Sequence, residues 1–179
     1  GIEKAGELNE YPQNVFLVER VCGICSFMHA MTYCQGIEDL MNIEITPRAK
    51  YLRVFYSELS RVHSHLLWLG LLADAFGFES LFMRYWAIRE KVVDMMEMTG
   101  GHRIILSACA IGGIRRDITA EQIKIVEQTL QEVRQELDRI TPVVMNDYTV
   151  KKRTVGKGIL TQEEAITYGA VGPVLRASG

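Results

Sequence analysis

Long apolar runs, prolines and cysteines are all scarce in this sequence, and neither sign of charge predominates. The longest uncharged apolar stretch, Leu66-Leu67-Trp68-Leu69-Gly70-Leu71-Leu72-Ala73, stops at Asp74, well short of the roughly 18–20 residues needed to span a bilayer. A membrane role would have to come through a partner. Twenty Lys and Arg stand against 22 Asp and Glu, a net charge of −2. There is no overall positive field to gather nucleic acid and no acidic tail, so nucleic acid is not an expected partner. Four cysteines in 179 residues are too few for a disulfide scaffold, and the N-terminus carries no basic segment followed by an apolar run and a small-residue cleavage site. The thiols are expected to be reduced, metal-bound or buried, in a cytoplasmic setting. No Pro/Gly/Ser-rich linker or internal repeat breaks the chain, which reads as a single domain over 1–179. A hydrophobic content of 48% suffices for a substantial core. The chain starts at Gly1 rather than Met and stops at Ser178-Gly179, which reads as a piece of something longer.

What is abundant is helical periodicity. After Thr46-Pro47, a cap residue with proline at the first helical position, Leu52, Phe55, Leu59, Val62, Leu66 and Leu69 recur at spacings of 3, 4, 3, 4 and 3, one apolar stripe on a helix of about seven turns. A second stripe opens at the capping-box sequence Thr119-Ala120-Glu121-Gln122 and runs through Ile123, Val126, Leu130, Val133, Leu137 and Ile140. Thr141-Pro142 is expected to stop it. Residues 80–98, closed by Gly100-Gly101, predict a third long helix, and Ser26 to Met41 a fourth. Thr161-Gln162-Glu163-Glu164 caps a short fifth ending near Gly169. Only residues 103–111 and 155–160 could form short strands. The fold class is mainly α, a multi-helix bundle.

The outstanding local feature is Glu19-Arg20-Val21-Cys22-Gly23-Ile24-Cys25-Ser26-Phe27-Met28-His29. Two thiols three positions apart, with Gly23 allowing a tight turn, can face one soft metal or close a small-loop disulfide. They sit just before a predicted helix start, where free N–H groups and the positive dipole end favour thiolate, and Arg20 adds positive charge. His29 follows Cys25 by four residues on the same face, so its ring can bond a cysteine sulfur and tune it. The pair alone is compatible with metal ligation, a redox disulfide or plain structural thiols. A closed zinc site needs two more ligands, and Cys34 and Cys109 are isolated in sequence.

The run Arg20-Val21-Cys22-Gly23-Ile24-Cys25 with His29 resembles the motif R-x-C-G-x-C-x-x-x-H of the large, catalytic subunit of nickel–iron hydrogenases. Further segments, the run from Glu58 to Gly70, Gly112-Gly113-Ile114-Arg115-Arg116-Asp117, and Gly169-Ala170-Val171-Gly172-Pro173 with Arg176-Ala177-Ser178-Gly179, resemble the membrane-bound, energy-converting branch, most of all its carbon-monoxide-induced type. That branch is related to the quinone-site subunit of respiratory complex I, which shares the Gly-Ile-Glu start and the Gly-Pro-x-x-Arg ending but lacks the cysteine pair. The resemblance implies the following. The fold is that of the hydrogenase large subunit. Cys22 is a terminal nickel ligand, and Cys25 bridges nickel to an iron carrying carbon monoxide and cyanide. These two cysteines are the catalytic and metal-binding positions, with Arg20 and His29 in the cofactor's surroundings. A small subunit with an iron–sulfur cluster takes the electrons, and integral membrane subunits complete an assembly on the cytoplasmic face of the membrane. The alternative implied is a non-catalytic quinone-site or structural subunit.

Two departures from the pattern matter. The family's second ligand pair, D-P-C-x-x-C, does not occur in these 179 residues, nor does its N-terminal strand-rich segment. The chain therefore resembles a central fragment, expected to be inactive by itself, to bind no nickel–iron centre, and to self-associate through uncovered apolar surface. Other residues read blandly. His63 and His65, about 200° apart on a helix, cannot share a metal. His63 reads as a surface or interface residue, and His65, close to the stripe, as a hydrogen-bonded core histidine. Cys34 and Cys109 read as small buried hydrophobes.

Overall fold

The Thr46-Pro47 signal starts α4 (Pro47–Ala75), with the Ala49 N–H donating to Thr46 Oγ1 at 3.2 Å. This satisfies one of the orphan donors at the helix start. In the computed structural model, which describes residues 1–179, the chain forms two compact units, Gly1–Leu137 and Asp138–Gly179. Preceding α4 are α1 (Ile2–Gly6), α2 (Tyr11–Glu19) and α3 (Ser26–Met41). After it come α5 (Glu79–Gly100), the two-residue strands β1 (Cys109–Ala110) and β2 (Gly113–Ile114), and α6 (Ala120–Asn146). The fold is mainly α, as expected.

Sequence and structure agree on where α3, α4 and α5 lie. Gly101 ends α5 in the left-handed conformation, φ 84°, the helix stop that glycine supplies at no steric cost. The expected strand over 103–111 shrinks to Cys109–Ala110, paired antiparallel to β2 with Cys109 opposite Ile114 and Ala110 opposite Gly113. Residues 155–160 form no strand. Proline 142 does not stop α6, which continues to Asn146. Proline removes one N–H from the ladder, but its φ is already helical, so a final turn can follow it.

The buried face of α4 is rotated from the apolar stripe. Leu52, Leu59 and Leu66 are buried, but Phe55, Val62 and Leu69 are only half-buried. Their places inside are taken by Arg53, Tyr56, Ser60, His63 and Gly70. The reason lies in the neighbours. Tyr56 donates to the Thr99 carbonyl of α5 at 2.9 Å and stacks near Phe27 of α3. Gly70 leaves room for Trp86 of α5, whose ring would lie 2.7 Å from a Cβ there. Arg53 is 2% exposed and forms a bidentate ion pair with Glu38 of α3, at 2.8 and 2.6 Å. Its guanidinium also donates to the Ala110 and Gly113 carbonyls, and Glu38 accepts from the Gly112 N–H. One buried pair thus ties α3, α4 and the small hairpin together.

In the second unit, α7 (Tyr148–Thr154) is capped by Asp147, and α8 (Gln162–Thr167) carries the expected Thr161/Glu164 capping box. A final short helix, α9 (Gly172–Ala177), packs with α8.

Candidate metal centre

The cysteine motif forms the turn between α2 and α3. Helix α2 ends at Glu19, Arg20 caps it, and Cys25 is the residue before the first turn of α3. The chain folds back so that the N–H groups of Ile24 and Cys25 both donate to Cys22 Sγ, at 3.4 and 3.2 Å. One helical turn on, His29 Nε2 lies 3.4 Å from Cys25 Sγ. The ligand atoms of Cys22, Cys25 and His29 all fall within 4.8 Å of one another, at a half-buried position.

The electrostatics of the two thiols are opposite. Cys22 ionises below the ordinary thiol value, because the Cys25 side chain donates to its sulfur and the Cys25 and Ile24 N–H groups add to the effect. Cys25 is pushed up to about 11, first by burial and then by donating to Cys22. Within the free pair Cys25 is the donor and Cys22 the sulfur that ionises more readily. A soft cation would replace the shared proton and hold both sulfurs, since metal binding to thiols releases protons. Two sulfurs and an imidazole nitrogen in one small cluster suit nickel, iron or zinc and not a hard cation.

The bonds of Arg20 go to α2. Its guanidinium donates to the Phe16 carbonyl at 2.9 Å and approaches Glu19 Oε2 at 3.5 Å. Cys34 and Cys109 are completely buried, as expected. The structure also joins them. Their thiols share a hydrogen bond, which pushes Cys34 up and holds Cys109 down. Seventy-five positions apart in sequence, they form a second pair beside the Glu38–Arg53 ion pair, facing each other and not the first.

The two histidines of α4 exchange the places expected of them. His63 is 0% exposed with neither ring nitrogen hydrogen-bonded, while His65 is exposed. His63 follows the rotated face of α4. Sequence reading also passed over Glu19, which is 0% exposed and accepts from Ser107 Oγ at 2.9 Å. Its one signal was an acidic residue at a helix C-terminus, where the dipole disfavours it.

A family model described as "Respiratory-chain NADH dehydrogenase, 49 Kd subunit" matches residues 75–179. One described as "Nickel-dependent hydrogenase" matches residues 1–74. The first covers more than half of the chain. The chain belongs to the hydrogenase and 49 Kd subunit family. Among its relatives are the membrane-bound hydrogenase subunit alpha of Pyrococcus furiosus, 38% identical across all of this chain and 42% of that protein, and the carbon monoxide-induced hydrogenase of Rhodospirillum rubrum, 37% identical across all of this chain and 50% of that one. A chain of the membrane-bound sulfane sulfur reductase, an archaeal respiratory membrane complex, superposes with a TM-score of 0.92 at 26% identity, over 98% of this chain and 48% of that one. The chain thus spans half or less of the length of these family members. No helix is long and apolar enough to cross a membrane.

Proposed function

We propose that this chain carries one of the two cysteine pairs of a nickel–iron hydrogenase large subunit, with Cys22 as terminal nickel ligand and Cys25 as the bridge to iron. The observation that carries the reading is the convergence of Cys22, Cys25 and His29 within 4.8 Å, on a chain whose first 74 residues match the nickel-dependent hydrogenases. When bound, the nickel–iron centre supplies the reversible interconversion of two protons and two electrons with H₂. The chain's own contributions are local. Cys22, whose sulfur accepts two backbone N–H groups, offers an Sγ that can take and release a proton. His29 fixes the orientation of Cys25 Sγ from the next helical turn. Because Cys34 and Cys109 are buried against each other, they cannot complete the set. Two further thiolates come from elsewhere in the whole protein, and this chain alone is inactive. In the cell the protein works with a small subunit carrying an iron–sulfur cluster and with integral membrane subunits, held peripherally on the cytoplasmic face. Alone, the chain self-associates.

The match of residues 75–179 to the 49 Kd subunit family favours a second reading, a non-catalytic quinone-site or structural subunit. The test is metal analysis of the full-length protein purified with its partners. The hydrogenase reading expects near-stoichiometric nickel, lost together with dye-linked H₂ oxidation in Cys22→Ser and Cys25→Ser. A complex that lacks nickel, and whose quinone-linked electron transfer survives both substitutions, would establish the second reading instead.

A further inference from the structure

Six buried side-chain atoms have no hydrogen-bond partner, and they are unevenly placed. Two are oxygens, on Asn14 and Glu19, while the other four are nitrogens of His63, Trp86 and Arg89, all on α4 and α5. The antiparallel course of these two helices brings the three residues into one seam. Tyr56 of α4 donates to the Thr99 carbonyl of α5, and Gly70, further along α4, lies against Trp86. His63 and Arg89 fall between those two contacts, from opposite sides.

Arg89 is the anomaly among them. Only 7% of it is exposed, and its Nε is bonded to nothing. A guanidinium taken this far out of water is ordinarily kept by a carboxylate, because desolvating an unpaired charge is expensive. Arg53 has Glu38 for this purpose, but Arg89 has no such group. Glu90, whose charge reaches it, bonds Arg103 instead, as do Asp94 and Glu97, and Arg103 adds repulsion of its own. His63 offers no compensation, since it is uncharged at neutral pH. What fixes Arg89 is Trp86. The guanidinium carbon stands 5.1 Å from the centre of that ring, a contact that orients the cation without neutralising it. The small part of Arg89 still exposed is the approach for a partner.

We propose that Arg89, held over Trp86, is an interface anchor whose partner is the carboxylate of an aspartate or glutamate in the part of the protein outside these 179 residues. The chain spans half or less of the relatives described above, and the remaining length is where, in the whole protein, that carboxylate lies. The charge selects the occupant. An apolar segment would bury the guanidinium without compensation and a basic one would be repelled, whereas a carboxylate can accept two parallel N–H bonds from an arginine. The inference rests on the whole protein being longer, as in the reading above. It uses nothing at the cysteine pair, so nickel analysis and the test of Arg89 fail independently.

The test uses the full-length protein in its complex, with the substitution Arg89→Lys and a zero-length carbodiimide. The reagent activates a carboxyl group and the introduced amine displaces it: the amide C–N bond forms, the activated C–O bond breaks, and the carbodiimide leaves as its urea. Peptide mapping should find position 89 joined to an acidic residue of the same polypeptide outside residues 1–179. The parent should lack that product, while the Lys91–Glu132 pair cross-links in both proteins and serves as the internal control. Changing the mapped acidic residue to its amide should abolish the product. A link from position 89 to Glu90 or another acid within residues 1–179, a link to a different subunit, or no link while the control pair reacts, each overturns the proposal. Should Arg89→Lys fail to assemble, a structure of the parent complex decides. A carboxylate oxygen from outside residues 1–179 within about 3.2 Å of the guanidinium upholds the proposal, and water or an apolar side chain in that place refutes it.

Discussion

His63 is the residue whose environment departs furthest from its chemistry. An imidazole with both nitrogens unpartnered, buried between α4 and α5, resists taking up a proton. Burial first, and the Arg89 charge second, lower its pKa from 6.5 to about 4. The unfolded chain therefore binds a proton that the folded chain refuses between those two values. Stability from this site is fully present above pH 6.5 and is lost as pH falls toward 4, by roughly 3 kcal/mol in all. Urea unfolding at pH 7 and pH 5 should show a smaller acid loss in His63→Leu than in the parent. Parallel pH dependences in the two proteins would show that another group is responsible. The same comparison at pH 7 should find His63→Leu at least as stable as the parent, because no hydrogen bond is given up.

At the scale of elements, α4 shows why hydrophobic periodicity locates a helix better than it orients one. Its span was legible from Thr46-Pro47 and from the 3-4 spacing of Leu52, Phe55, Leu59, Val62, Leu66 and Leu69. Its inward face was not, because Arg53, Tyr56, His63 and Gly70 turn inward only when Glu38, Thr99 and Trp86 are there to meet them. The Glu38–Arg53 pair is one of these determinants. Burial opposes ionisation of Glu38, but the Arg53 hydrogen bonds and the Gly112 N–H outweigh it and hold the carboxyl below its usual 4.5. Its stabilising effect is thus present above about pH 4.5 and disappears as pH drops through the folded value. Glu38→Ala leaves the Arg53 guanidinium buried with less compensation, and should cost about 3–5 kcal/mol. Thermal melting checks this. A loss below about 1 kcal/mol would show that the hairpin rests on its backbone bonds and not on the ion pair.

Across the whole molecule, four thiols divide into two pairs of different character. Cys22 and Cys25 lie half-buried at the turn between α2 and α3, whereas Cys34 and Cys109 are sealed between α3 and β1. Alkylation followed by mass spectrometry should therefore label Cys22 first, as the more readily ionised thiol, and Cys25 next. Cys34 and Cys109 should react only on the timescale of unfolding. Labelling of Cys109 as fast as Cys22 would overturn the assignment of which pair is available to a metal.

The helices α3, α4, α5 and α8, and the motif that places two thiols and an imidazole on one turn, were determined by the sequence alone. Each depends on residues within a few positions of one another: a cap, a 3-4 repeat, a Cys-Gly-Ile-Cys turn with His29 one turn later. The Cys34–Cys109 pair, the burial of Glu19 under Ser107, the rotated face of α4 and the exchanged places of His63 and His65 were decided only by tertiary structure. Those depend on contacts between residues tens of positions apart, and no local spacing reports which distant group will be present to satisfy a buried charge or leave an oxygen bare.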